Sequence, residues 1–577
     1  MAEQRKIIAR DAVGDIAGLP GETNPVLKRI LLGRGITDAS DLSLSLADMQ
    51  HPHSLSGLGE AASLLADAVT QDQKILVVGD FDADGATGTA LAVLSLEAMG
   101  CERVDFRVPN RFEFGYGLTV SLVETLALDP PDLLITVDSG ICCNDGVDRA
   151  RELGCRVIVT DHHLPGEALP RANAIVNPNQ PGDAFPSKAL AGVGVMFYLL
   201  IALRGELRQR GWFGRQRQEP NLAAFLDLVA LGTVADLVPL DHNNRVLVRQ
   251  GLERIRRGRA RPGLLALLRA GKRDYRYADA SDLGFAAGPR LNAAGRLEDM
   301  AAGIRCLLSN DMEDARRFAA ELDTLNRQRK SMQEQMQGEA MAQVAELLEK
   351  MDTGALPEAV CLYDPRWHQG VVGLVASRVK DAVHRPVIAF APEQEGSDIL
   401  KGSARSVRGL HIRDALALVD ARRPGLMNAF GGHAMAAGLS LQASVLKTFE
   451  STLDDAVRTQ RGGQSLAEEI LTDGVLGNQD LNLDTALAIE AHGPWGQRFS
   501  EPLFDGLFEV VDARVVGGSH LKMVVQQQGG GAAIDAIAFN RMPDDLPGGA
   551  VRLLYRLNIN RWRGNESPQL MVEHIVA

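Results

Sequence analysis

Three aspartates stand close together near residue 80, directly after a predicted strand. Asp80, Asp82 and Asp84 occupy alternate positions of the segment KILVVGDFDADGATGTA, whose first residues, Lys74 to Gly79, are largely apolar and β-branched. Three carboxylates at this spacing would repel one another in a dry pocket unless cations or protons compensated them. Oxygen ligands grouped in this way suit Mg²⁺ or Mn²⁺, and two such ions suit phosphoryl chemistry.

Two structural explanations of this motif compete with metal-assisted chemistry. The aspartates could form an exposed acidic turn, or they could open a calcium-binding loop, since DxDxDG also begins such loops. A calcium loop of that kind carries a glutamate at its twelfth position, and counting from Asp80 places Leu91 there. The sequence therefore favours a site that other segments complete, beside a helix that is predicted to begin near Thr87.

More acidic and imidazole side chains follow later apolar stretches. Asp138 comes after LLITV, and Asp161, His162 and His163 come after RVIVT. Adjacent imidazoles beside a carboxylate have no obvious packing role, so this triplet indicates ligands or catalytic groups. Asp138 could instead cap the next helix, and Asp236, which lies between apolar flanks in GTVADLVPL, could be structural.

Glycine-rich and basic segments beyond residue 285 could bind phosphate. Glycines let backbone N–H groups approach a phosphate closely, and guanidinium groups bind it through paired hydrogen bonds. Each residue alone is a weak indication, and the two histidines among them could equally be structural. The candidates are Arg290, Asn292 and Arg296 in GPRLNAAGRL, His368 in DPRWHQGVVG, Ser403 and Arg405 in KGSARS, and Gly431, Gly432 and His433 in FGGHAMAAG.

These residues need elements to position them, and strand-like and helix-like stretches alternate between Lys74 and about Pro178. KILVVGD, VDFRVPN, LLITVDSG, RVIVTDHH and AIVNPN are typical of strands, and a helix is predicted around Leu91 to Met99. The alternation predicts an α/β fold with a parallel sheet covered on both faces. Ligands of such sheets bind beyond the carboxyl ends of the strands, where these aspartates and histidines fall. One shared site is therefore expected.

The rest of the chain predicts a long helix, a second α/β region and a small barrel. Residues 311–351 contain a single glycine and no proline, so one helix of about 60 Å is expected. EAVCLYDP and PVIAFAPE flank a predicted helix, Val371 to Val379. After RGGQS, which has linker composition, five short β-type stretches indicate a barrel, with an OB-fold as the leading candidate.

Composition limits the classes of function. The six cysteines form no CxxC pair, which favours a reducing cytosol, and the first residues lack the apolar core of a signal peptide. The longest apolar run, Ala189 to Leu203, is too short to span a membrane and predicts a buried helix. The net charge is −13, but Arg245 to Arg276 carry eleven Arg or Lys residues. That run could form either a phosphate-binding surface or solvated helix faces.

The motifs DFDADG, VDSG and DHH resemble those of the DHH phosphoesterase superfamily. Within it, PNRFEFGYG, LVALGTVADLVPL, GPRLNAAGRL, WHQGVVGLVASR, KGSARS and GGHAMAAG are similar to the family of bacterial RecJ exonucleases. The resemblance is strong from residue 74 to about residue 440, and the chain length and C-terminal barrel agree with it. It implies an N-terminal extension (1–70), a parallel-sheet DHH catalytic domain (71–310), a connecting helix (311–351), an α/β DHH-associated domain that clamps substrate (352–463) and an OB-fold-like nucleic-acid-binding domain (464–577).

The resemblance also implies a divalent-metal-dependent exonuclease that degrades single-stranded DNA 5′→3′ to 5′-mononucleotides in DNA repair and recombination. It implies catalytic roles for His163 and Asp161, and substrate binding by Arg111 of PNRFEFGYG together with the phosphate-binding candidates named above. The implied ligands of two cations, Mn²⁺ or Mg²⁺, are Asp80, Asp82, Asp84, Asp138, His162 and Asp236.

Partners and competing functions follow from the same resemblance. It implies a cytoplasmic monomer without a membrane partner that works with single-stranded DNA-binding protein and a RecQ-type helicase. Trp562 and Tyr555 could be stacking platforms on the barrel or part of its core. A nanoRNA or cyclic-dinucleotide phosphodiesterase could use the same metal site, but such proteins typically lack the barrel. An inactive replication scaffold would lack ligands that are all present here.

Overall fold

The computed structural model describes residues 6–11, 19, 24–350, 357–462, 469–541 and 548–576 of this 577-residue chain. The chain forms two compact units. Among the described residues, the larger consists of those within Ile7–Asp323 and Leu471–Ala577, and the smaller consists of those within Thr324–Ile470 together with Lys6. The domain boundaries predicted at 351–352 and 463–464 lie outside the described residues.

A five-stranded parallel sheet lies in the larger unit, after β1 (Lys6–Ala9), α1 (Pro25–Leu32) and α2 (Leu58–Thr70). Its strands are β2 (Ile75–Gly79), β3 (Val104–Arg107), β4 (Leu133–Val137), β5 (Arg156–Thr160) and β6 (Ala174–Val176). The strand order is β3-β2-β4-β5-β6, and every neighbouring pair is parallel. β2 and β4 are buried throughout, as apolar strands covered on both faces must be. The predicted parallel α/β sheet is confirmed.

Helices cover this sheet and continue beyond it. They are α3 (Ala83–Ala98), α4 (Val120–Glu124), α5 (Asn144–Glu152), α6 (Gly192–Gln209), α7 (Leu226–Ala235), α8 (His242–Arg256), α9 (Pro262–Ala270), α10 (Ala280–Asp282), α11 (Gly288–Leu297) and α12 (Ala301–Leu308). The apolar run at 189–203 lies mostly in α6, which is buried along its first nine residues, as predicted. Among the described residues, no helix combines the length and apolarity that a bilayer crossing requires.

A single helix follows, as the absence of proline predicts. It is α13 (Met312–Lys350), with 39 residues, which corresponds to about 60 Å at the standard rise. Glutamate and aspartate occupy its first turn, where negative charge is favourable beside the helix N-terminus.

The smaller unit contains a second five-stranded sheet. Its strands are β7 (Val360–Tyr363), β8 (Val387–Pro392), β9 (Ile399–Arg405), β10 (Ala429–Gly432) and β11 (Ala436–Gln442). Its helices are α14 (Val372–Val383), α15 (Ile412–Arg422) and α16 (Leu446–Arg461). The order is β10-β11-β9-β8-β7, with β7 and β8 parallel and the other pairs antiparallel. The second α/β region is therefore present, and α14 extends beyond the predicted Val379.

The five β-type stretches near the C-terminus close into a barrel, after β12 (Glu469–Thr472) and α17 (Leu483–Ala491). Its strands are β13 (Phe504–Val516), β14 (His520–Gln527), β15 (Ile534–Ala538), β16 (Gly549–Trp562) and β17 (Asn565–Val576). They pair in the order β13-β14-β15-β17-β16, and β15 and β17 are the parallel pair. This is the OB-fold arrangement, so that prediction is confirmed.

The two aromatic residues proposed as barrel stacking platforms have different environments. Tyr555 is fully buried in the barrel core and packs against Phe504 and Phe508. Of the two roles left open for Tyr555, the barrel core is therefore the one that the structure shows, because its ring points into the barrel from β16. Trp562 is 67% exposed at the end of the same strand.

N-terminal residues are joined to the C-terminal part of the larger unit by a buried ion pair. The guanidinium of Arg34 donates to both carboxylate oxygens of Asp473 at 2.6 and 3.0 Å, and also to the carbonyl oxygens of Ile30 and Ser500. Neither side chain of the pair is more than 2% exposed. The contact joins residues more than four hundred positions apart in the sequence, so Arg34 and the end of α1 are attached to the C-terminal part of this unit.

We expect Arg34→Met to destabilise the larger unit strongly. The substitution would leave Asp473 as a buried carboxylate without its bidentate partner, which costs about 3 to 5 kcal/mol in comparable pairs. Urea unfolding followed by intrinsic fluorescence measures the loss. Arg149→Met is the matched control, because Arg149 pairs with Glu124 at the surface and should unfold much as the unaltered protein does. Equal stabilities of the two variants would contradict the prediction.

Candidate metal centre

Three aspartates lie in one row across the carboxyl ends of neighbouring strands. Asp80, Asp138 and Asp161 each follow the last residue of β2, β4 and β5. Each donates its backbone N–H to a carbonyl oxygen on the next strand of the sheet, at 3.2, 3.0 and 3.1 Å. The chain leaves β2 toward β3 on one side while β4 lies on the other, so Asp80 and Asp138 flank the switch point where such sheets bind ligands.

The side chains beyond this row form clusters that could hold cations. Within each cluster, the ligand atoms lie within 4.8 Å of one another. The clusters are Asp80 with Asp82 and Asp138; Asp84 with His162 and Asp236; and Asp138 with His162 and His163. Because Asp138 and His162 each occur in two of them, the clusters are continuous. Every metal ligand predicted from the sequence belongs to this group.

Two carboxylate oxygens in the group lack a hydrogen-bond donor. Oδ1 of Asp80 and Oδ1 of Asp138 are buried and accept no hydrogen bond from any described residue. The latter oxygen lies 3.1 Å from Nε2 of His162, and Nε2 lies 3.5 Å from Oδ2 of Asp236. A buried carboxylate oxygen without a donor is unfavourable unless a cation compensates it. Carboxylate oxygens with one imidazole nitrogen are the donor set that Mn²⁺ and Mg²⁺ accept.

Burial and mutual repulsion disfavour the charged form of these acids. Burial, followed by the charge of Asp84, raises the pKa values of Asp138 and Asp236 well above the usual range. Burial and the charge of Asp82 do the same for the pKa of Asp80 and raise that of Asp84 to about 7. A cation must therefore displace protons from the cluster when it binds, so its affinity should increase with pH.

Asp82 begins a helix as well as facing the cluster. Its Oδ1 accepts hydrogen bonds from the backbone N–H groups of Asp84 and Gly85 at 2.9 and 3.1 Å. Because Asp82 is the N-cap, α3 begins at Ala83. The predicted start near Thr87 is therefore wrong by one turn.

Asp84 is held by the N-terminus of α6. Its two carboxylate oxygens accept the backbone N–H groups of Gly192 and Val193 at 2.6 and 2.9 Å. A Cβ atom at Gly192 would lie 2.5 Å from Cβ of Asp138, so only glycine allows this approach. Asp138 itself has a left-handed backbone, with φ of 60°, a conformation that is strained for a residue with a side chain and that often marks functional sites.

Asp161 and His163 form a hydrogen-bonded pair. Oδ1 of Asp161 accepts the backbone N–H groups of His162 and His163 and lies 2.8 Å from Nδ1 of His163, while Oδ2 accepts the N–H of Ile141. Burial would raise the pKa of Asp161, but these bonds and the charge of His163 keep it below its usual value. Burial would lower the pKa of His163, but Asp161 raises it to about 8. Asp161 therefore holds the ring of His163 in place, and the catalytic role predicted for Asp161 stays a prediction.

Three residues of this site were not identified from the sequence. The hydroxyl of Tyr116 lies 3.4 Å from Nδ1 of His163. The side-chain amides of Asn177 and Asn179 donate to the backbone oxygens of His163 and His162 at 2.9 and 2.6 Å. The asparagines follow β6, the strand beside β5 in the sheet. Their position after the strand-like stretch in AIVNPN could have identified them as residues of the same site.

Arg111 lies beside the metal cluster, where substrate binding was predicted. Its guanidinium carbon is 4.5 Å from the ring centre of Phe81, which stands between the first two aspartates of the motif. Burial lowers the pKa of Arg111, and the charges of Asp80 and Asp82 oppose that shift.

The residues of GPRLNAAGRL have different roles on α11. Arg290 donates to Asp323 at 2.9 Å and to two backbone oxygens. These contacts join helices and use three of the N–H donors of Arg290. Substrate binding by Arg290 stays a prediction. Oδ1 of Asn292 accepts the N–H of Ala83 at 2.7 Å, which makes Asn292 a positioning residue for the aspartate turn. Arg296 is four residues further along the same helix.

Much of the basic run at 245–276 is paired within the chain. Arg245 is buried with its guanidinium 3.9 Å from the ring centre of Phe499, and Arg273 lies 3.0 Å from Asp282. Further pairs join Arg249 and Arg257 to Glu253, and Arg276 to Asp274. A continuous phosphate-binding surface along this run is therefore not favoured.

In the smaller unit, Ser403 and Arg405 lie together on β9. Arg405 donates to the hydroxyl of Ser403 at 3.0 Å. Both side chains approach the first turn of α14, since a Cβ atom at Gly373 would lie 2.8 Å from Oγ of Ser403 and 3.0 Å from a guanidinium nitrogen of Arg405. Burial lowers the pKa of Arg405. A guanidinium beside a helix N-terminus is an arrangement that binds anions.

The remaining candidates of this unit lie near the same end of the sheet. His433 follows Gly432 and donates its backbone N–H to Ala436 at 2.8 Å, and Ala436 is the register partner of Arg405 on β9. His368 precedes α14, and its Nδ1 accepts the N–H of Gly370 at 3.1 Å. The candidates of this unit thus come from three segments that are distant in the sequence.

Known proteins are similar to the chain over its whole length. Family models match the DHH family N-terminal domain at residues 74–233, the DHHA1 domain at 356–459 and the RecJ OB domain at 472–574. Single-stranded-DNA-specific exonuclease RecJ of Escherichia coli K12 is 50% identical over 577 residues, which cover 99% of both chains.

Solved structures show the same similarity. RecJ from Thermus thermophilus in complex with Mn²⁺ matches with a TM-score of 0.79 and 30% identity, covering 100% of this chain and 79% of that one. Its complex with Mg²⁺ matches with a TM-score of 0.74 and 28% identity, covering 100% and 78%. These are the two ions that suit the donor set described above.

We expect Asp138→Asn to weaken Mn²⁺ binding by more than about tenfold, since even partners of metal ligands contribute that much. The substitution keeps the side-chain size and removes the charge that links two of the clusters. Titration followed by the electron paramagnetic resonance signal of free Mn²⁺ measures the affinity. Asp105→Asn, which alters a 62% exposed side chain on β3, is the control. Unchanged Mn²⁺ affinity in Asp138→Asn would contradict the metal site.

Proposed function

Because this chain belongs to the RecJ family of single-stranded-DNA-specific exonucleases, we propose that it degrades single-stranded DNA 5′→3′ and releases 5′-mononucleotides. It is a divalent-metal-dependent exonuclease whose role lies in DNA repair and recombination. The observation that carries the proposal is the convergence of the aspartates with His162 at the carboxyl ends of β2, β4 and β5.

The proposed metal ligands all belong to the three overlapping clusters described above. They are Asp80, Asp82, Asp84, Asp138, His162 and Asp236. Two divalent cations, Mn²⁺ or Mg²⁺, would supply Lewis-acid polarisation of the phosphate and stabilise the charge of the leaving oxygen. Asp138 belongs to two of the clusters, and its carboxylate has two oxygens, so Asp138 is the residue that would contribute to both ion positions, while His162 would bind one ion.

His163 is proposed to contact the phosphate. Its Nδ1 lies 2.8 Å from Oδ1 of Asp161, which leaves Nε2 as the ring nitrogen that would donate a hydrogen bond to a phosphate oxygen. Asp161 and Tyr116 fix the ring orientation and act as positioning residues.

Phosphates of the DNA strand other than the one at the metal cluster would be bound by cationic side chains and backbone N–H groups. Each unit contains candidate residues of this kind. In the larger unit we propose Arg111, beside the first two aspartates, together with Arg296 of α11. In the smaller unit the proposed phosphate ligands are Ser403, Arg405, Gly432, His433 and His368. On the barrel, Trp562 remains available for stacking with a base, since its ring is mostly exposed.

The partners and the location of the protein are proposals as well. We propose that it acts as a monomer in the cytoplasm, on strands that single-stranded DNA-binding protein coats and a RecQ-type helicase opens. All six cysteines are described and are free thiols, which suits a reducing compartment. The barrel is the proposed contact for single-stranded DNA-binding protein.

The polarity can be tested with strands protected at one end. A single strand with phosphorothioate linkages at its 5′ end should resist degradation, whereas the same protection at the 3′ end should leave the initial rate unchanged. Release of 5′-mononucleotides in Mn²⁺ measures both rates. Asp138→Ala should be inactive on either strand, because it removes the ligand that links the clusters. Rapid digestion of the 5′-protected strand would refute the proposed direction.

We expect Arg405→Ala to raise KM for single-stranded DNA by about 10- to 100-fold, since a hydrogen bond to a charged group contributes about 1.5 to 3 kcal/mol. Mn²⁺ affinity should not change. Arg405→Lys should recover part of the loss, because it restores the charge without the paired geometry. Arg458→Ala, in the same unit but paired with Asp454 on α16, is the control. An unaltered KM in Arg405→Ala would contradict the phosphate role.

A further inference from the structure

Two exposed large apolar side chains belong to segments that adjoin Asp236, one of the proposed metal ligands. Phe285 is 77% exposed and Leu237 is 68% exposed, although both lie in the larger unit, whose other large apolar residues are mostly buried. Single exposed apolar residues are common on protein surfaces, but a pair beside a binding site indicates a contact surface.

Leu237 has an unusual backbone conformation and directly follows Asp236, a proposed metal ligand. Its backbone is left-handed, with φ of 62°. This conformation is strained for leucine, which has a Cβ atom. Consecutive Cα atoms are about 3.8 Å apart, so the Leu237 side chain begins beside the ligand. Strain of this kind is retained where the surrounding structure requires a particular side-chain direction.

Phe285 is held against the same end of α7. It lies in a π-helical turn, Leu283–Ala287, between two glycines. A Cβ atom at Gly284 would lie 3.3 Å from Cγ1 of Val234, and one at Gly288 would lie 3.2 Å from Cβ of Ala235. The turn thus packs closely on the residues that precede Asp236. Single π turns often occur at functional sites, because they displace one side chain from the helical register.

The turn is also attached to the aspartate motif. It leads directly into α11, whose Asn292 accepts the backbone N–H of Ala83 at 2.7 Å. Phe285 is therefore connected to the metal cluster through two rigid contacts, one to α7 and one to α3. Neither contact involves the Phe285 ring, which remains exposed.

We propose that Phe285 and Leu237 form an apolar face on which a nucleobase of the single strand packs while its phosphate lies at the metal cluster. This inference rests on the proposed function. A base is the occupant that the position favours, because a DNA strand whose phosphate reaches Asp236 must place its adjoining bases within a few ångströms of Leu237. Aromatic stacking accepts every base, which suits an exonuclease that degrades strands of any sequence.

The contact between Phe285 and a base is tested by comparing protein variants on two DNA substrates. One strand is an ordinary oligonucleotide, and the other carries abasic tetrahydrofuran units at its first three 5′ positions. The unaltered protein should degrade the ordinary strand with a kcat/KM about tenfold higher. Phe285→Ala should lose about tenfold on the ordinary strand and less than about twofold on the abasic strand, because the removed ring has no base to contact there.

Further variants separate stacking from folding. Phe285→Trp should keep the preference for the ordinary strand, since it restores an aromatic face, and Leu237→Ala should reduce that preference. Leu128→Ala, which truncates a fully exposed leucine remote from the sheet's carboxyl edge, should change neither rate. Mn²⁺ affinity should be the same in all of these proteins.

The outcomes distinguish this inference from the function on which it rests. If Phe285→Ala slows both strands equally, or neither, the base contact is refuted while the exonuclease activity stands. If the unaltered protein degrades neither strand in Mn²⁺, the proposed function fails and the inference fails with it.

Discussion

Several carboxylates are confined at one edge of the parallel sheet, and their mutual repulsion is the constraint on which the metal site depends. Asp80, Asp138 and their neighbours are brought together in a place that water hardly reaches. Burial and mutual repulsion raise the pKa values of four of these acids. A divalent cation can replace the protons of these acids. The same closeness of carboxylates that raises the free energy of the charged, metal-free cluster therefore favours cation binding.

Hydrogen-bond donors decide which carboxylates remain available to a cation. Asp161 is as buried as Asp138, yet its two oxygens are occupied by backbone N–H groups and the imidazole of His163. Its pKa is lowered, whereas that of Asp138 is raised. Residues of one chemical type, in one row of the sheet, thus differ in the charge state that their surroundings favour, because the hydrogen-bond donors around them differ.

The same division appears among the arginines and aromatic residues. Arg290 is used to join helices, whereas Arg405, beside the N-terminus of α14, donates to the hydroxyl of Ser403 and the carbonyl oxygen of Ala404. Tyr555 fills the barrel core, whereas Phe285 is mostly exposed. Arg405 and Phe285 are the residues that we propose to contact substrate, because a ligand needs an available donor or an exposed ring.

The sequence by itself determined the sheet, the barrel and the acidic centre. The alternation of strand-like and helix-like stretches predicts a parallel sheet. Residues that follow the ends of neighbouring parallel strands lie close together, so the sequence already groups Asp80, Asp138 and His162. The start of α3 was misjudged, because an aspartate can serve as cap and as ligand at once.

Tertiary structure alone decided which polar groups are already satisfied. Asn177, Asn179 and Tyr116 contact the two histidines from other segments of the chain. Asp161 accepts the N–H of Ile141, and Arg290 donates to Asp323, again between separate segments. Local periodicity contains no information about such contacts. They are fixed only when packing brings a particular donor to a particular acceptor, and a hydrogen bond depends on distances of a few tenths of an ångström.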